Sequence, residues 1–94
     1  MADFATRMAT LRARFLAQLA QELPAIAAHA EAERWDEVQQ LCHGIAGRAG
    51  MFGFTALGDA ARDVDEAIDA GRGAHSMRPL VARLVEEAGL IPLP

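Results

Sequence analysis

Several features are missing from this sequence, and each absence excludes a class of protein. Cys42 is the only cysteine in 94 residues, so no internal disulfide can form. None of the nine basic residues is a lysine, the arginines form no cluster, and the formal net charge is −4. Because nucleic acids are bound mainly by concentrated positive charge, we expect a protein partner and no nucleic acid.

Long apolar runs are also missing. No stretch without a charged side chain exceeds ten residues, about half of the roughly 20 residues that span a bilayer. The first turns carry Asp3 and Arg7, where a secretory signal would have a continuous apolar core. We therefore expect no membrane-spanning segment and a cytoplasmic location.

Nor does any segment alternate between apolar and polar residues as a half-buried strand does, and no internal repeat is visible. Apolar residues make up 52% of the chain and charged residues 23%, an ordinary balance for a globular protein. A chain of this length suffices for one small core. The sequence predicts a single helical domain over residues 1–94, with a monomer as the favoured state.

Apolar residues recur at spacings of three and four in the first part of the chain, which predicts an amphipathic helix. They are Phe4, Met8, Leu11, Phe15 and Leu19. Asp3 can cap this helix. Pro24 is unfavourable inside a helix but favourable in a first turn. The sequence therefore predicts either a break near Pro24, with a second segment over residues 24 to about 34, or one kinked helix.

Capping residues and glycines predict three further helices. The expected N-terminal caps are Asp36, Thr55 and Ser76, and the expected stops are Gly53, Gly71 and Gly89. Pro79 is expected in the first turn of the last helix. The apolar tail contains two prolines and should lie extended against the bundle. These elements predict an all-α fold, an up-and-down antiparallel four-helix bundle.

The helix that follows Asp36 combines a core stripe with several glycines. The stripe consists of Val38, Leu41, Cys42, Ile45, Ala49 and Phe52. His43 points roughly 140° away from it, and Gly47 and Gly50 lie within about 40° of His43. Each glycine inside a helix costs about 1 kcal/mol relative to alanine. This pattern predicts an exposed histidine on a face that another protein can approach closely.

The residues around His43 resemble the signature of the histidine phosphotransfer (HPt) domains of multistep two-component phosphorelays. That signature is a histidine followed by an aliphatic residue two positions later, a glycine four later and a glycine ten later. Here these residues are His43, Ile45, Gly47 and Gly53. The resemblance continues on both sides of the motif and covers essentially the whole chain.

The resemblance implies a phosphocarrier that is not itself an enzyme. His43 would accept a phosphoryl group on Nε2 from the aspartate of a response-regulator receiver domain, or from a hybrid histidine kinase, and pass it to another receiver. The chain would need no cofactor of its own, because the receiver brings the Mg²⁺. An imidazole, whose ordinary pKa is about 6.5, offers an unprotonated nitrogen at neutral pH for this attack.

One position departs from the family. HPt domains commonly have a lysine three residues after the histidine, and this chain has Ala46. Arg48 is a poor replacement because it projects about 140° away from His43 on a helix. Arg62, on the following helix, is the more plausible source of positive charge.

The expected docking face for the partner is made of residues that share a side of the helix with His43. They are Gln39, Gln40, Ala46, Gly47 and Gly50. The two glutamines are either solvated or form hydrogen bonds that orient the imidazole or the phosphoryl oxygens.

Three other residues with reactive side chains have simpler interpretations. His29 and His75 lie in different elements and are expected at the surface, whereas Cys42 is expected in the core. A rival function also remains open. The chain could be a non-catalytic helical module that binds a receiver or kinase without accepting phosphate, and Ala46 is the feature that favours it.

Overall fold

Within residues 3–94, which the computed structural model describes, the chain folds into four α-helices. α1 spans Phe4–Glu31, α2 Trp35–Ala49, α3 Thr55–Asp69 and α4 Ala74–Gly89, and a short 3₁₀ turn, Gly50–Phe52, follows α2. Each helix packs against the next in sequence, and α4 closes the ring against α1. No strand occurs in these residues, and the predicted all-α four-helix bundle is confirmed.

The break predicted near Pro24 does not occur. α1 runs continuously through Pro24 and ends at Glu31, so the single-helix alternative holds. Proline in a helix interior removes one hydrogen bond and costs about 3 kcal/mol. Leu19 and Ile26 are fully buried on either side of Pro24, and their burial holds both halves of the helix against the same core.

The N-terminal cap of α1 is confirmed, whereas the other three predicted caps are wrong. Asp3 Oδ1 accepts a hydrogen bond from the Thr6 backbone N–H at 2.8 Å. The helices α2, α3 and α4 begin at Trp35, Thr55 and Ala74, each after a residue without a side-chain cap, so Asp36, Thr55 and Ser76 lie within the first turns. Pro79 consequently falls in the second turn of α4. At the start of α2, Trp35 is partly buried against the core, so packing supports that start in the absence of a cap.

The predicted glycine stops agree with the structure. Gly53 and Gly71 have φ values of 83° and 73°, the left-handed conformation that glycine adopts without strain. Gly89 is the last residue of α4. In the tail beyond it, Ile91 and Leu93 are partly buried against the core, as expected.

The core stripe of α2 is confirmed. Val38, Cys42, Ile45 and Ala49 are fully buried. They share one core cluster with buried residues from the other three helices, which are Phe15, Leu19, Ile26, Ala30, Leu57, Ala60, Ala61, Val64, Val81, Leu84 and Ala88. The side of α2 opposite this stripe is therefore the side left for solvent or a partner.

The apolar stripe of α1 is longer than the bundle that it packs against. α1 has 28 residues and α2 has 15, which correspond to about 42 Å and 22 Å of helix. Phe15 and Leu19 are buried, whereas Leu11 is 43% exposed and Phe4 is 77% exposed. Only the part of the predicted stripe from Phe15 onward therefore enters the core.

α2 and α3 approach each other most closely at Gly58. A Cβ atom built at this position would lie 3.3 Å from the Cβ atom of Ala49 and 3.8 Å from the carbonyl oxygen of Ala46. Real Cβ atoms rarely come closer than that to a neighbouring side chain. Gly58 is itself buried, so the absence of its side chain sets the spacing of the two helices.

We expect Gly58→Leu to lower the free energy of unfolding by about 2 kcal/mol, because a large side chain overpacks this contact. Gly47→Leu is the matched control. A Cβ atom at Gly47 has no neighbour within 4 Å, so that variant should gain up to roughly 1 kcal/mol from helix propensity. Urea unfolding followed by circular dichroism measures both. Equal effects of the two substitutions would contradict the close approach.

Candidate functional site

His43 lies in the middle of α2 and points away from the core. Its side chain is 81% exposed, whereas the preceding residue, Cys42, is fully buried. This outward orientation is the one predicted from the helical wheel. It makes the imidazole accessible to another protein.

The imidazole is held by a carboxylate of the neighbouring helix. His43 Nδ1 lies 2.8 Å from Oδ2 of Asp65 on α3. An ionised carboxylate can only accept a hydrogen bond, so Nδ1 is the nitrogen that donates, and in the neutral ring Nε2 is then the nitrogen that holds the lone pair. Nε2 has no hydrogen-bond partner among residues 3–94, and most of the side chain is exposed. The structure thus presents an exposed imidazole whose Nδ1 is held by Asp65.

Gln39 in turn holds Asp65. The Gln39 side-chain amide, one turn before His43, donates to Asp65 Oδ1 at 3.0 Å and lies 3.4 Å from Asp69 Oδ1. Of the two roles considered for Gln39, the structure therefore favours orienting the imidazole, and it does so through Asp65. Gln40 is exposed and only borders the hollow beside His43.

The charge of Asp65 depends on these contacts. Partial burial alone would raise the pKa of the Asp65 carboxyl, but the hydrogen bonds from His43 and Gln39 oppose this, and the net shift of the pKa is downward. Asp65 is therefore ionised at neutral pH. With Glu66 and Asp69 nearby on α3, the surroundings of the imidazole are acidic.

The predicted docking face is open in the structure. Cβ atoms built at Gly47 and Gly50 would meet no neighbouring atom within 4 Å. A shallow hollow beside the imidazole is lined by His43, Ala46, Gly47, Arg62, Asp65 and Glu66. A partner can therefore approach His43 along this side of α2 without displacing side chains.

The two arginines considered as sources of positive charge lie in different places. The Arg48 guanidinium donates to Glu22 of α1 at 3.1 Å, and its Nε donates to the Gly44 carbonyl at 3.0 Å. Arg48 thus faces away from His43, as the wheel predicts. Arg62 borders the hollow beside His43 and pairs with Asp59 at 3.2 Å in an exposed contact. Exposed pairs of this kind contribute little, so Arg62 can exchange its partner.

Of the other residues with reactive side chains, Cys42 is buried as predicted, His75 is exposed as predicted, and His29 is partly buried. Burial, reinforced by the negative charges of Asp65 and Glu22, raises the pKa of the Cys42 thiol to about 12, so the thiol is inert. His29 Nδ1 accepts a hydrogen bond from Arg34 Nε at 2.9 Å, and His75 is exposed. Within residues 3–94, no group of three or more histidine, cysteine or acidic side chains could hold a metal ion.

Together, the fold and the site define a small helical bundle that carries one oriented, exposed histidine beside a bare face of α2. The family model described as Hpt domain matches residues 10–89. The chain therefore belongs to the Hpt family, and it is a phosphotransfer module of two-component signalling. Members of this family are phosphocarriers rather than enzymes, and they interact with receivers and kinases. Comparison with curated proteins and with solved structures gives no significant match.

The structure adds one finding on membranes. In the part of the chain from residue 3 onward, no helix combines the length and the apolar character that crossing a bilayer requires.

We expect Gln39→Ala to raise the pKa of the Asp65 carboxyl toward its ordinary value of 3.8, because the variant removes a hydrogen bond to the ionised form. The stabilisation that comes from the lowered pKa is complete above about pH 4 and is lost as pH falls through the folded-state value. Gln39→Ala should therefore lose stability relative to wild type at neutral pH, and the difference should shrink in acid.

Titration of the Asp65 side-chain carbon by NMR, with urea unfolding between pH 2 and 7, measures both effects. Gln40→Ala is the matched control, since the Gln40 side chain is exposed and makes no hydrogen bond with residues 3–94. An Asp65 carboxyl that titrates identically in the two variants would contradict the proposed network.

Proposed function

We propose that this chain is a phosphocarrier that accepts a phosphoryl group on His43 Nε2 from the aspartyl phosphate of a receiver domain, or from a kinase, and passes it to another receiver. The observation that carries the proposal is the 2.8 Å contact between His43 Nδ1 and Asp65, which leaves the lone pair of the neutral ring on Nε2 of a side chain that is 81% exposed. Family membership supplies the reaction class.

The transfer is a single displacement at phosphorus. The Nε2 lone pair attacks the phosphorus atom, the N–P bond forms, and the P–O bond to the receiver aspartate breaks, which releases that aspartate as a carboxylate. The ring then carries a positive charge, because Nδ1 keeps its proton. The Asp65 carboxylate, hydrogen-bonded to Nδ1, stabilises this charge.

The same contact supports transfer in the opposite direction. When the next aspartate attacks, the N–P bond breaks and its electron pair returns to Nε2. Because Nδ1 has remained protonated, the leaving group is a neutral imidazole rather than an anion. Asp65 therefore acts as a positioning residue that keeps the proton on Nδ1 in both directions.

Neutralisation of the phosphoryl group falls mainly to the partner. Asp65 and Glu66 border the site, Ala46 supplies no charge, and the one cation beside the hollow is Arg62 among the described residues. Electrostatic stabilisation dominates phosphoryl transfer. We therefore assign the main positive charge to the Mg²⁺ of the receiver, and Arg62 is the contribution of this chain. We place this transfer in the cytoplasm.

Docking relies on the bare face of α2. Gly47 and Gly50 leave open space beside the imidazole, Ala46 adds a single methyl group, and Gln39 and Gln40 border the histidine one turn earlier. Positioning of the two reactants accounts for much of the rate in such transfers. A receiver that fits this face would bring its aspartate within reach of Nε2.

The rival function is a docking module that binds a receiver or kinase without accepting phosphate. The observation in its favour is the acidic border of the site, which repels a phosphoryl group where the family commonly has a lysine. The rival and the proposed phosphocarrier differ in whether His43 becomes phosphorylated.

We expect wild-type protein incubated with a panel of receivers phosphorylated on aspartate to gain an acid-labile, base-stable phosphate. His43→Gln should gain none. His43 lies on an exposed face away from the core, so the free energy of unfolding should change by less than about 0.5 kcal/mol. His75→Gln is the matched control and should accept phosphate like wild type. Equal labelling of the His43 variant would end the proposal, and binding without labelling of wild type would establish the rival.

The position of Ala46 generates a second expectation. A lysine three residues after His43 can reach a phosphoryl group on the imidazole. In a solvated site this cation should favour the phosphorylated form by on the order of 1 kcal/mol, and salt should weaken the effect.

We therefore expect Ala46→Lys to shift the equilibrium toward phosphorylated His43 by a few-fold, most clearly at low ionic strength. The measurement is the ratio of phosphorylated domain to phosphorylated receiver at two salt concentrations. Ala46→Gln controls for side-chain length without charge. An unchanged ratio at both salt concentrations would mean that Arg62 or the receiver already neutralises the phosphoryl charge.

A further inference from the structure

The part of α1 that extends beyond the bundle carries an apolar stripe without a partner. We call Phe4, Met8 and Leu11 the α1 seam. Phe4 is 77% exposed, Leu11 is 43% exposed and Met8 is half-buried. The family match begins at residue 10, so most of the seam lies outside the part of the chain that the family accounts for.

The seam continues a stripe that the bundle itself covers further along. Phe15 is 3% exposed and stacks on Phe52 and Phe54, with ring centroids 5.4 and 6.0 Å away. The guanidinium of Arg12 lies 5.0 Å from the centroid of the Phe54 ring. Among the described residues of α1 that precede Phe15, none belongs to the core cluster. The covered and the uncovered turns therefore form one continuous surface.

The spacing of this stripe is that of a helix-pairing surface. Phe4, Met8, Leu11 and Phe15 are separated by four, three and four positions, the repeat of the a and d positions of a coiled coil. On a wheel they occupy a sector of roughly 60°. A helix that lies in a membrane surface has a wider apolar face, so the narrow stripe favours a partner helix over a lipid surface.

Arginines border the stripe on both sides. Arg7 and Arg14 occupy g positions and Arg12 an e position of the same heptads. Within residues 3–94, none of the three forms an ion pair. In coiled coils the charges at e and g positions select the partner, and three uncompensated cations select acidic residues.

These charges also disfavour pairing between two α1 seams. A second copy would place arginine opposite arginine, whether the two helices were parallel or antiparallel. The rest of a second copy is acidic, with twelve acidic residues and six arginines after residue 14. However, its exposed apolar residues, Met51, Val85 and Leu90, belong to three different segments and form no heptad.

We propose that the α1 seam is a docking surface for an amphipathic helix of a partner protein, with apolar residues at a and d positions and acidic residues at the flanking e and g positions. This surface is independent of phosphoryl transfer at His43. It gives the chain a second contact, through which a signalling partner could be tethered while the face of α2 remains free.

The probe is a synthetic three-heptad peptide with leucine at a and d and glutamate at e and g, compared with the same peptide carrying lysine at e and g. Fluorescence anisotropy measures binding of each labelled peptide to the full chain. We expect wild type to bind the glutamate peptide at least roughly tenfold more tightly than the lysine peptide. Raising the salt concentration should narrow that preference.

Two variants test the parts of the surface separately. Arg7→Glu combined with Arg14→Glu should reverse the preference between the two peptides, and Arg72→Glu, at an exposed arginine of the loop before α4, should leave it unchanged. Leu11→Ser should weaken binding by roughly tenfold. Its control is Val85→Ser, since Val85 is 44% exposed, about as much as Leu11.

Four results would overturn the proposal. The first two are that neither peptide binds and that both peptides bind equally well. The third is a wild-type dimer in sedimentation that Leu11→Ser dissociates, which would mean that a second copy covers the α1 seam. The fourth is that vesicles with an anionic lipid bind wild type but not Leu11→Ser, while the peptides do not bind. That result would assign the α1 seam to a membrane surface.

Discussion

The close contact between α2 and α3 at Gly58 is the constraint on which the site depends. Because Gly58 has no side chain, the Cβ atom of Ala49 can approach the α3 backbone closely. This contact fixes the register of two antiparallel helices joined through Gly53. Gln39 then lies opposite Asp69, and His43 lies opposite Asp65. The imidazole is thus positioned by backbone packing two turns away as well as by its own hydrogen bond.

Much of this arrangement was predictable because it depends on local sequence. The helices, the outward direction of His43, the cap at Asp3 and the glycine at Gly53 all follow from periodicity and from the conformational preferences of single residues. The sequence left a broken and a single α1 both open, because burial of Leu19 and Ile26 on either side of Pro24 is a tertiary effect. The predicted caps of α2, α3 and α4 were wrong because these helices begin without a side-chain cap.

Asp65 was missed because no motif marks it. It lies 22 residues after His43, on another helix, and resembles the other carboxylates of α3. A signal was nevertheless present. In an antiparallel pair of helices, the residue numbers of contacting positions add to a nearly constant value, here 107 for Ala49 and Gly58 and 108 for His43 and Asp65. A turn centred near Gly53 predicts that sum, and with it a carboxylate opposite the histidine.

The 15 residues of α2 face four different surroundings, and the glycines Gly44 and Gly47 lie on two of these sides. One side enters the core, and Arg48 reaches α1 by lying across Gly44, where a Cβ atom would already be 3.4 Å from the guanidinium. Another side holds His43 against α3, and the last remains bare at Gly47. Each glycine weakens the helix by about 1 kcal/mol. Packing against Ala49 explains Gly58, whereas a Cβ atom at Gly44 would only be in ordinary van der Waals contact with the end of Arg48. Packing does not explain Gly47, where a Cβ atom would meet nothing within 4 Å, and this supports the proposed approach of a partner to His43 along this face.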